Sequence, residues 1–305
     1  MQKFKRYSFL FLAILIVAAI VHFYNKAADG FSLRQIQSSL KNNPSNELAA
    51  PTDYTREDLR KILSQPFYYI GKGAQCYAFA SEDGKYVIKF FKHKHLRPLT
   101  WLNYLPIPSA FQPFCTKKIE KREKRIRDLF ASYKLAFEEM RDETGLIYVH
   151  LNRRPDLLKS VQIVDKLGMK HTILVDHYEY ILQKRAVQVL DALPRGAFSE
   201  DEFRSKLHQL CQVILQRCEK GIKDRDPAVL RNMAFCLAEP RAVYIDTGAF
   251  CKDSSMTSEK VARKDVVLRL KELRIWAKNN NPQLIQVIDS VVQEYDDDAC
   301  LANNT

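Results

Sequence analysis

The sequence lacks the cysteine patterns that brace small secreted domains or hold zinc. Its seven cysteines are an odd number, and none stands in a Cys-x-x-Cys pair. Neither a disulfide framework nor a zinc site is therefore expected, and a reducing compartment is favoured. A Gly-Lys-Ser/Thr sequence at Walker A spacing is missing too, which excludes a nucleotide loop of that type. No internal repeat is visible.

The bulk composition is that of a globular protein. An apolar fraction of 46% and a charged fraction of 28% allow a real core in a chain of 305 residues. The net charge is +12, and its densest basic cluster is Lys117, Lys118, Lys121, Arg122, Lys124, Arg125 and Arg127. Such a cluster fits an anionic lipid surface or a solvated helix face. Aromatic residues hardly interleave with it, so nucleic acid is not expected as a partner.

One apolar segment, residues 8–24, approaches the length needed to cross a bilayer. Lys3, Lys5 and Arg6 precede it, and no clear small-x-small cleavage site follows. The pattern therefore predicts an uncleaved membrane anchor over residues 1–25 rather than a signal peptide. The slight excess of positive charge before the segment favours an amino terminus inside and a body outside.

The rest of the chain predicts an α+β body behind a polar tether at residues 26–55. Strands are expected at residues 67–70, 77–81, 86–91, 146–151, 161–167 and 172–184, and a hairpin over 233–246. Amphipathic helices are expected at residues 117–141, 199–220 and 258–295. Ser199 and Glu202 form a capping-box signature at the start of the second of these helices.

The first chemical motif is the turn that contains Gly71 and Gly73, followed by a strand that ends in Lys89. Glycines let backbone amides approach phosphate oxygens without a side chain between them. A lysine sixteen residues after Gly73 can reach the same phosphates. Each element also has a purely structural interpretation. The glycine turn can be an ordinary hairpin, and Lys89 can be a lysine at the edge of a sheet.

The second motif begins with Asp224-Arg225-Asp226 and Asn232, and a hairpin then leads into Asp246-Thr247-Gly248. Phosphoryl transfer requires a carboxylate near the attacking hydroxyl and an Asn/Asp pair for the metal. The alternative interpretation of the first part is a charged loop that caps a helix.

In this order the two motifs resemble the active-site parts of the protein-kinase-like fold, over about residues 65–300. The chain is most similar in outline to divergent bacterial and atypical kinases, including lipopolysaccharide-core-type kinases. The resemblance implies a two-lobed α+β fold, with a small lobe and long helix at residues 56–184 and a compact helical lobe at 185–305. No Ala-Pro-Glu sequence follows Gly248, which argues against peptide substrates.

The resemblance also implies ATP and Mg²⁺ as cofactors and assigns roles to single residues. Asp226 would act on the acceptor hydroxyl, and Asn232 and Asp246 would bind the metal. The phosphates would be held by Gly71, Gly73 and Lys89. Lys89 would pair with a helix glutamate, for which Glu123 is the first candidate, with Glu120 and Glu138 as alternatives.

The sequence departs from the kinase pattern at three places. Cys76 replaces the third glycine of the loop, Thr247 replaces the usual phenylalanine, and Asn232 comes one residue later than in kinases because Arg231 occupies that position. These departures keep two hypotheses open. The first is a membrane-anchored kinase that phosphorylates a hydroxyl on a protein or glycolipid acceptor. The second is a catalytically inactive pseudokinase that acts as a binding or scaffold module.

Orientation separates these hypotheses from a third. An ATP-using body would lie in the cytoplasm, on the opposite side from the one that the flanking charges favour. An export-side membrane protein with an unrelated α+β body would agree with those charges. The sequence leaves the orientation of this single-pass arrangement unresolved.

Overall fold

A computed structural model describes residues 2–49, 51, 53–94, 96–97, 99, 108–195, 198–237 and 239–296. It is a mixed α+β protein, as predicted. Within these residues the helices are α1 (Gln2–Ala27), α2 (Leu33–Ile36), α3 (Arg56–Ile62), α4 (Gln112–Glu139), α5 (Arg141–Thr144), α6 (Val189–Arg195), α7 (Glu200–Glu219), α8 (Val229–Asn232), α9 (Glu259–Asn280) and α10 (Ile285–Tyr295). The strands are β1 (Phe67–Lys72), β2 (Cys76–Ser81), β3 (Tyr86–Phe91), β4 (Leu146–His150), β5 (Ser160–Val164), β6 (Lys170–Leu174), β7 (Tyr180–Lys184), β8 (Ala186–Gln188), β9 (Ile222–Asp224), β10 (Met233–Cys236), β11 (Ala242–Tyr244) and β12 (Phe250–Lys252).

The chain divides into two compact units. Unit 1 comprises Met1–Asn42, Asp53–Arg97 and Asn152–Tyr180, and unit 2 comprises Asn43–Thr52, Pro98–Leu151 and Ile181–Thr305. The long helix α4 and strand β4, which the sequence assigned to the small lobe, group with unit 2.

Unit 1 is built on strands in the order β3-β2-β1-β5-β6. The first three form an antiparallel meander in which Phe79 lies opposite Tyr69 and Ile88. β5 runs parallel to β1, and β6 returns antiparallel to β5. A bulge between Tyr69 and Gly71 bends β1 as it enters the glycine turn. The meander confirms the strands predicted from the alternating pattern of residues 67–91.

The segment that follows α1 packs onto this sheet. Phe31 is 2% exposed, and its ring lies edge-on to Tyr77 and Phe79 at centroid distances of 5.2 and 5.3 Å. The hydroxyl of Tyr77 donates to the Gly30 carbonyl at 2.7 Å. Ile36 is fully buried. These residues, which lie within the stretch predicted as a tether, are therefore part of the fold of unit 1, because their apolar side chains complete its core.

Asp29 fixes the junction between α1 and this segment. Its φ of 54° is left-handed, a conformation that aspartate tolerates better than most residues. Its Oδ2 accepts hydrogen bonds from Lys166 and Tyr69, each at 3.0 Å, and Lys72 lies 3.4 Å from Oδ1. The hydrogen bond from Lys166 is the main cause that lowers the pKa of the Asp29 carboxyl, with Tyr69 and Lys72 adding to it.

Among the residues that the structure describes, no helix is both long and apolar enough to cross a membrane. The transmembrane helix predicted for residues 1–25 is therefore not supported by the structure. The side chains of residues 8–10 and 13, which belong to the predicted segment, lie outside the described set. The segment is helical, and its described apolar side chains, such as Phe11 and Ile20, are exposed.

Unit 2 is organised around helices α7, α9 and α10, which pack against one another. Ser199 and Glu202 form the predicted capping box of α7. The helix ends before Gly221, whose φ of 61° is left-handed and suits glycine. β10 and β11 form the predicted antiparallel hairpin, with β8 on the other side of β10, and β9 pairs with β12.

The two halves of α4 differ in their surroundings. The helix begins at Gln112, earlier than the predicted residue 117, because Pro113 is well suited to a first helical turn. Its second half buries Leu129, Phe130, Tyr133 and Phe137 and packs against β4 and β12. Its first half is mostly exposed. The buried half also contacts the segment that follows β11, where Ser132 meets Thr247 and Tyr133 faces Asp246.

Candidate functional site

The glycine turn of unit 1 joins β1 to β2. A Cβ built on Gly71 or Gly73 would meet no atom within 4 Å, so open space lies beside both residues. The amide of Gly73 donates to the Cys76 carbonyl at 3.0 Å, and the ammonium of Lys92 donates to the Gly73 carbonyl. The turn is thus closed on itself. The Gly73 amide is therefore engaged within the chain, and the phosphate-binding role of Gly71 and Gly73 stays a prediction.

Lys89 lies in β3 of unit 1, opposite Ala78 on β2. Glu123, its predicted partner, lies on α4 in unit 2, where its carboxylate is 3.8 Å from the guanidinium of Arg127. Of the two alternatives, Glu138 lies 3.8 Å from Lys134. The assignment of a glutamate to Lys89 stays a prediction.

The loop of unit 2 that contains Asp224, Asp226 and Asn232 begins where β9 ends. It is named the catalytic-type loop. Asp224 is 7% exposed, and its Oδ1 accepts the backbone amide of Asp226 at 3.0 Å. Asp226 itself is exposed, which leaves its carboxylate accessible to a substrate. Asp224 therefore holds the backbone of the loop from its buried side, and Asp226 lies on the exposed side of the loop.

Asn232 returns to this loop in spite of its displaced position in the sequence. The short helix α8 occupies residues 229–232 and brings the side-chain amide of Asn232 to the Asp226 carbonyl at 3.2 Å. Asn232 is 7% exposed. The bond from Nδ2 fixes the orientation of the side-chain amide, whose Oδ1 is an acceptor of the kind that binds metal ions. Residues 229–232 form a single helical turn between the two bonded residues.

Asp246 lies beside Asn232. The backbone carbonyl of Asn232 accepts the amides of Ile245 and Asp246 at 2.8 and 3.3 Å. The Oδ1 atom of Asp246 accepts the Gly248 amide at 3.0 Å and faces the Tyr133 hydroxyl at 3.5 Å. Unit 2 thus brings Asp226, Asn232 and Asp246, three residues predicted from the motifs, into one hydrogen-bonded group.

Two residues of α4 that the motifs did not identify hold this group in place. The hydroxyl of Ser132 donates to the Thr247 carbonyl and accepts the Phe250 amide at 2.6 Å. Its neighbour Tyr133 is the residue that faces Asp246. Both occupy the buried side of the helix, so the amphipathic pattern signalled their burial and gave no sign of their polar contacts.

A buried network of charges lies below the loop. Arg269 donates to Asp224 Oδ2 at 3.0 Å and to Asp265 Oδ2 at 2.7 Å. Arg217 donates to the same Asp265 oxygen and, at 3.0 Å, to the Tyr244 hydroxyl. Both arginines are at most 1% exposed. Two cations and two anions balance in this network, which is the usual condition for charges in a protein interior.

Burial determines the ionisation of this network. It raises the pKa of the Asp224 carboxyl, and the Arg269 guanidinium opposes that shift. It also raises the pKa of the fully buried Tyr244 hydroxyl, so that this group stays a neutral donor and acceptor. The network therefore supports the backbone of the loop and is not itself open to a substrate.

The donor set at Asn232 and Asp246 fits a hard divalent cation. Among the described residues, no group of three or more His, Cys, Asp or Glu side chains could hold a metal alone. Mg²⁺, however, is commonly bound by one or two protein oxygens together with water and substrate phosphates. An amide oxygen from Asn232 and a carboxylate from Asp246 match that requirement.

The similarity of this chain to known proteins is confined to solved structures. No protein family matches the chain, and no curated protein matches its sequence. Among solved structures it is similar to the bifunctional kinase-methyltransferase WbdD, with 13% identity, a TM-score of 0.35 and coverage of 71% of this chain and 42% of that one. It is also similar to the autoinhibited serine kinase domain of the giant muscle protein titin, with 12% identity, a TM-score of 0.31 and coverage of 60% and 44%.

Both neighbours are protein-kinase-like. The chain spans less than half the length of each of these solved structures.

Proposed function

We propose that the protein is a kinase-like phosphotransferase that uses a magnesium-bound nucleotide to phosphorylate a hydroxyl group. The observation that supports this most directly is the hydrogen-bonded group of Asp226, Asn232 and Asp246. Phosphoryl transfer requires a carboxylate near the acceptor hydroxyl and an Asn/Asp pair that binds the metal. Asp226 would supply the first, and Asn232 and Asp246 the second.

Asp246 and Asn232 would hold the metal through oxygen atoms. The Gly248 amide and the Tyr133 hydroxyl orient the Asp246 carboxylate, and the Asp226 carbonyl orients the Asn232 amide. A bound Mg²⁺ would neutralise charge on the nucleotide phosphates. The resemblance assigns Lys89 and the glycines at 71 and 73 to the same phosphates, and that assignment stays a prediction.

Asp226 would accept the proton of the acceptor hydroxyl. The acceptor oxygen forms a bond to the γ-phosphorus, the bond from that phosphorus to the β–γ bridging oxygen breaks, and the nucleoside diphosphate leaves with the electron pair. The exposure of Asp226 suits this role, because a protein or glycolipid acceptor has to reach the carboxylate from solvent.

An inactive pseudokinase is the second candidate, and the glycine turn favours it. The Gly73 amide is engaged by the Cys76 carbonyl, and Lys92 holds the Gly73 carbonyl. A turn closed in this way offers fewer amides to a phosphate. Under this alternative, the Asp226 group would be a remnant of the fold within a binding or scaffold module.

The test compares the wild type with Asp226→Asn in nucleotide binding and in the release of phosphate from ATP. An active enzyme predicts unchanged binding and a loss of about 10²–10⁴-fold in rate for the variant. Asp201→Asn, an exposed aspartate of α7, serves as the control. Equal residual rates in the wild type and Asp226→Asn, with nucleotide still bound, would leave the pseudokinase.

Attachment to a membrane through α1 belongs to the same proposal. Its described apolar side chains face solvent on all sides, the pattern of a helix that a nonpolar environment surrounds. A body that uses ATP would lie on the cytoplasmic side. Fractionation of cells that express the full chain and a chain lacking residues 1–25 tests this attachment, and equal recovery of both chains in the membrane fraction would contradict it.

A further inference from the structure

One side of the exposed half of α4 combines aromatic and basic residues. Positions separated by three and four residues lie on one side of a helix. Here they are Phe111, which directly precedes the helix, Phe114, Lys118, Lys121 and Arg125. This set is named the aromatic-basic stripe. Phe111 and Phe114 are 61% and 58% exposed, and the three basic side chains are exposed as well.

The charges of the stripe are not compensated within the described part of the chain. The ion pairs of this half of α4 lie elsewhere on the helix: Lys124 is 2.6 Å from Asp128, and Arg127 is 3.8 Å from Glu123. Lys118 instead lies over the ring of Phe114, 4.4 Å from its centroid. Among the described residues, the stripe therefore keeps three positive charges without an ion pair, whereas Lys124 and Arg127 each have an acidic partner.

The stripe is held on a rigid support. Leu129, Phe130 and Phe137 bury the second half of the same helix in unit 2. An uninterrupted helix transmits that position to its first half, so the stripe is presented in a fixed orientation. Two large exposed aromatic rings beside three unpaired cations leave apolar area in water, an arrangement typical of an interaction surface.

The chemistry of the stripe fits a lipid bilayer with anionic headgroups. Basic side chains approach headgroup phosphates, while neighbouring phenyl rings enter the boundary between headgroups and acyl chains. Single-stranded nucleic acid would require rings distributed along the basic track for base stacking, whereas both rings here lie at one end.

We infer that the aromatic-basic stripe docks on an anionic membrane surface. This contact is separate from phosphotransfer and from α1, and its function would be to fix the body of the protein close to the bilayer. Each basic side chain near an anionic surface contributes enough to change binding by roughly fivefold, so the three together account for about a hundredfold.

The experiment measures partition of the full chain onto vesicles of phosphatidylcholine and onto vesicles of equal parts phosphatidylcholine and phosphatidylserine. Because α1 carries basic residues of its own, the ratio of the two partition coefficients is compared between variants that all keep α1 unchanged, so that a difference between variants reports on α4. The triple variant Lys118→Glu, Lys121→Glu, Arg125→Glu is expected to lose most of the preference for anionic vesicles. The matched control Lys117→Glu, Lys124→Glu, Arg127→Glu changes the net charge equally and is expected to keep most of it.

Circular dichroism checks that each variant is folded. The double variant Phe111→Ala, Phe114→Ala should weaken the vesicle binding that remains at high salt, because the phenyl rings contribute an apolar contact that salt does not screen. Equal losses in the two triple variants would overturn the inference, because net charge alone would then explain the preference. A stripe variant that loses binding to a single-stranded RNA and keeps its vesicle preference would overturn it too, and would identify the surface as one for nucleic acid.

Discussion

Replacement of Arg269 by methionine removes the central cation of the buried network below the catalytic-type loop. Arg269 contacts Asp224 at 3.0 Å and Asp265 at 2.7 Å, and it is 1% exposed. Asp265 would retain Arg217, whereas Asp224 would retain the Asp226 amide as its partner in this network. Because removal of one partner leaves a buried charge, Arg269→Met is expected to lower the free energy of unfolding by about 3–5 kcal/mol.

The same helix supplies the control. Arg274 makes two contacts with Asp289, at 2.6 and 3.0 Å, and both side chains are well exposed. Arg274→Met should therefore cost about 0–1 kcal/mol. Urea unfolding, followed through the fluorescence of Trp276 on α9 in a Trp101→Phe background, measures both variants at one site.

Double replacement separates the charge effect from the packing effect. Arg269→Met combined with Asp224→Asn should recover part of the loss, since no uncompensated carboxylate then remains at that position. If Arg269→Met and Arg274→Met lowered the free energy of unfolding equally, within about 1 kcal/mol, the claim that burial makes the network contribute more to stability than an exposed ion pair would be refuted. A change in the slope of the unfolding free energy against urea concentration would instead indicate that the substitution alters the unfolded or the native state.

Three other predictions follow from single contacts. Ser132→Ala removes the hydroxyl that joins the Thr247 carbonyl to the Phe250 amide and should lower the free energy of unfolding by about 1–3 kcal/mol, as measured in urea, with Ser290→Ala at a half-buried site as the milder comparison. Asp29→Asn removes a carboxyl whose pKa is lowered in the folded state by Lys166. The wild type should therefore have the higher thermal midpoint above about pH 4, and this advantage should shrink as the pH falls below that value; a difference that grows on acidification would contradict it. Tyr133→Phe should weaken magnesium-dependent nucleotide binding by less than tenfold, because its hydroxyl faces Asp246 at a long 3.5 Å, and an unchanged titration would show that this contact does not orient the carboxylate.

Local patterns made several parts of the fold predictable. The strands around Gly71 and Gly73, the capping box of α7 and the β10–β11 hairpin each depend on residues close in sequence. The motifs named Asp226, Asn232 and Asp246, and hydrogen bonds connect these residues in the structure; their roles stay a prediction. Short-range rules are sufficient where a turn or a cap fixes the geometry.

Polar contacts between residues far apart in the chain could not be predicted from the sequence. Ser132 meets Thr247 across 115 positions, and Arg269 meets Asp224 across 45. A periodic apolar pattern shows which side of a helix is buried, but it identifies neither the polar residues that share that side nor the atoms they reach. Likewise, the polar composition of residues 26–55 concealed Phe31 and Ile36, two isolated apolar side chains that complete the core of unit 1.

The glycine turn shows a different limit. Its sequence predicted glycines that let backbone amides approach a phosphate, and that role stays a prediction; the hydrogen bond from the Gly73 amide to the Cys76 carbonyl could not be read from the sequence. The competition between an internal acceptor and a ligand depends on the exact path of a few residues, which composition and spacing do not determine.

The most direct test of the proposed function is calorimetric titration of ATP into the protein with Mg²⁺ and with a chelator. The wild type should bind more tightly when Mg²⁺ is present, and Asp246→Asn should lose that difference, because the carboxylate that would hold the metal is gone. Asp253→Asn, at a half-buried aspartate paired with Lys223 at 3.3 Å, should behave like the wild type. Binding that does not depend on Mg²⁺, or an unchanged dependence in Asp246→Asn, would contradict the account.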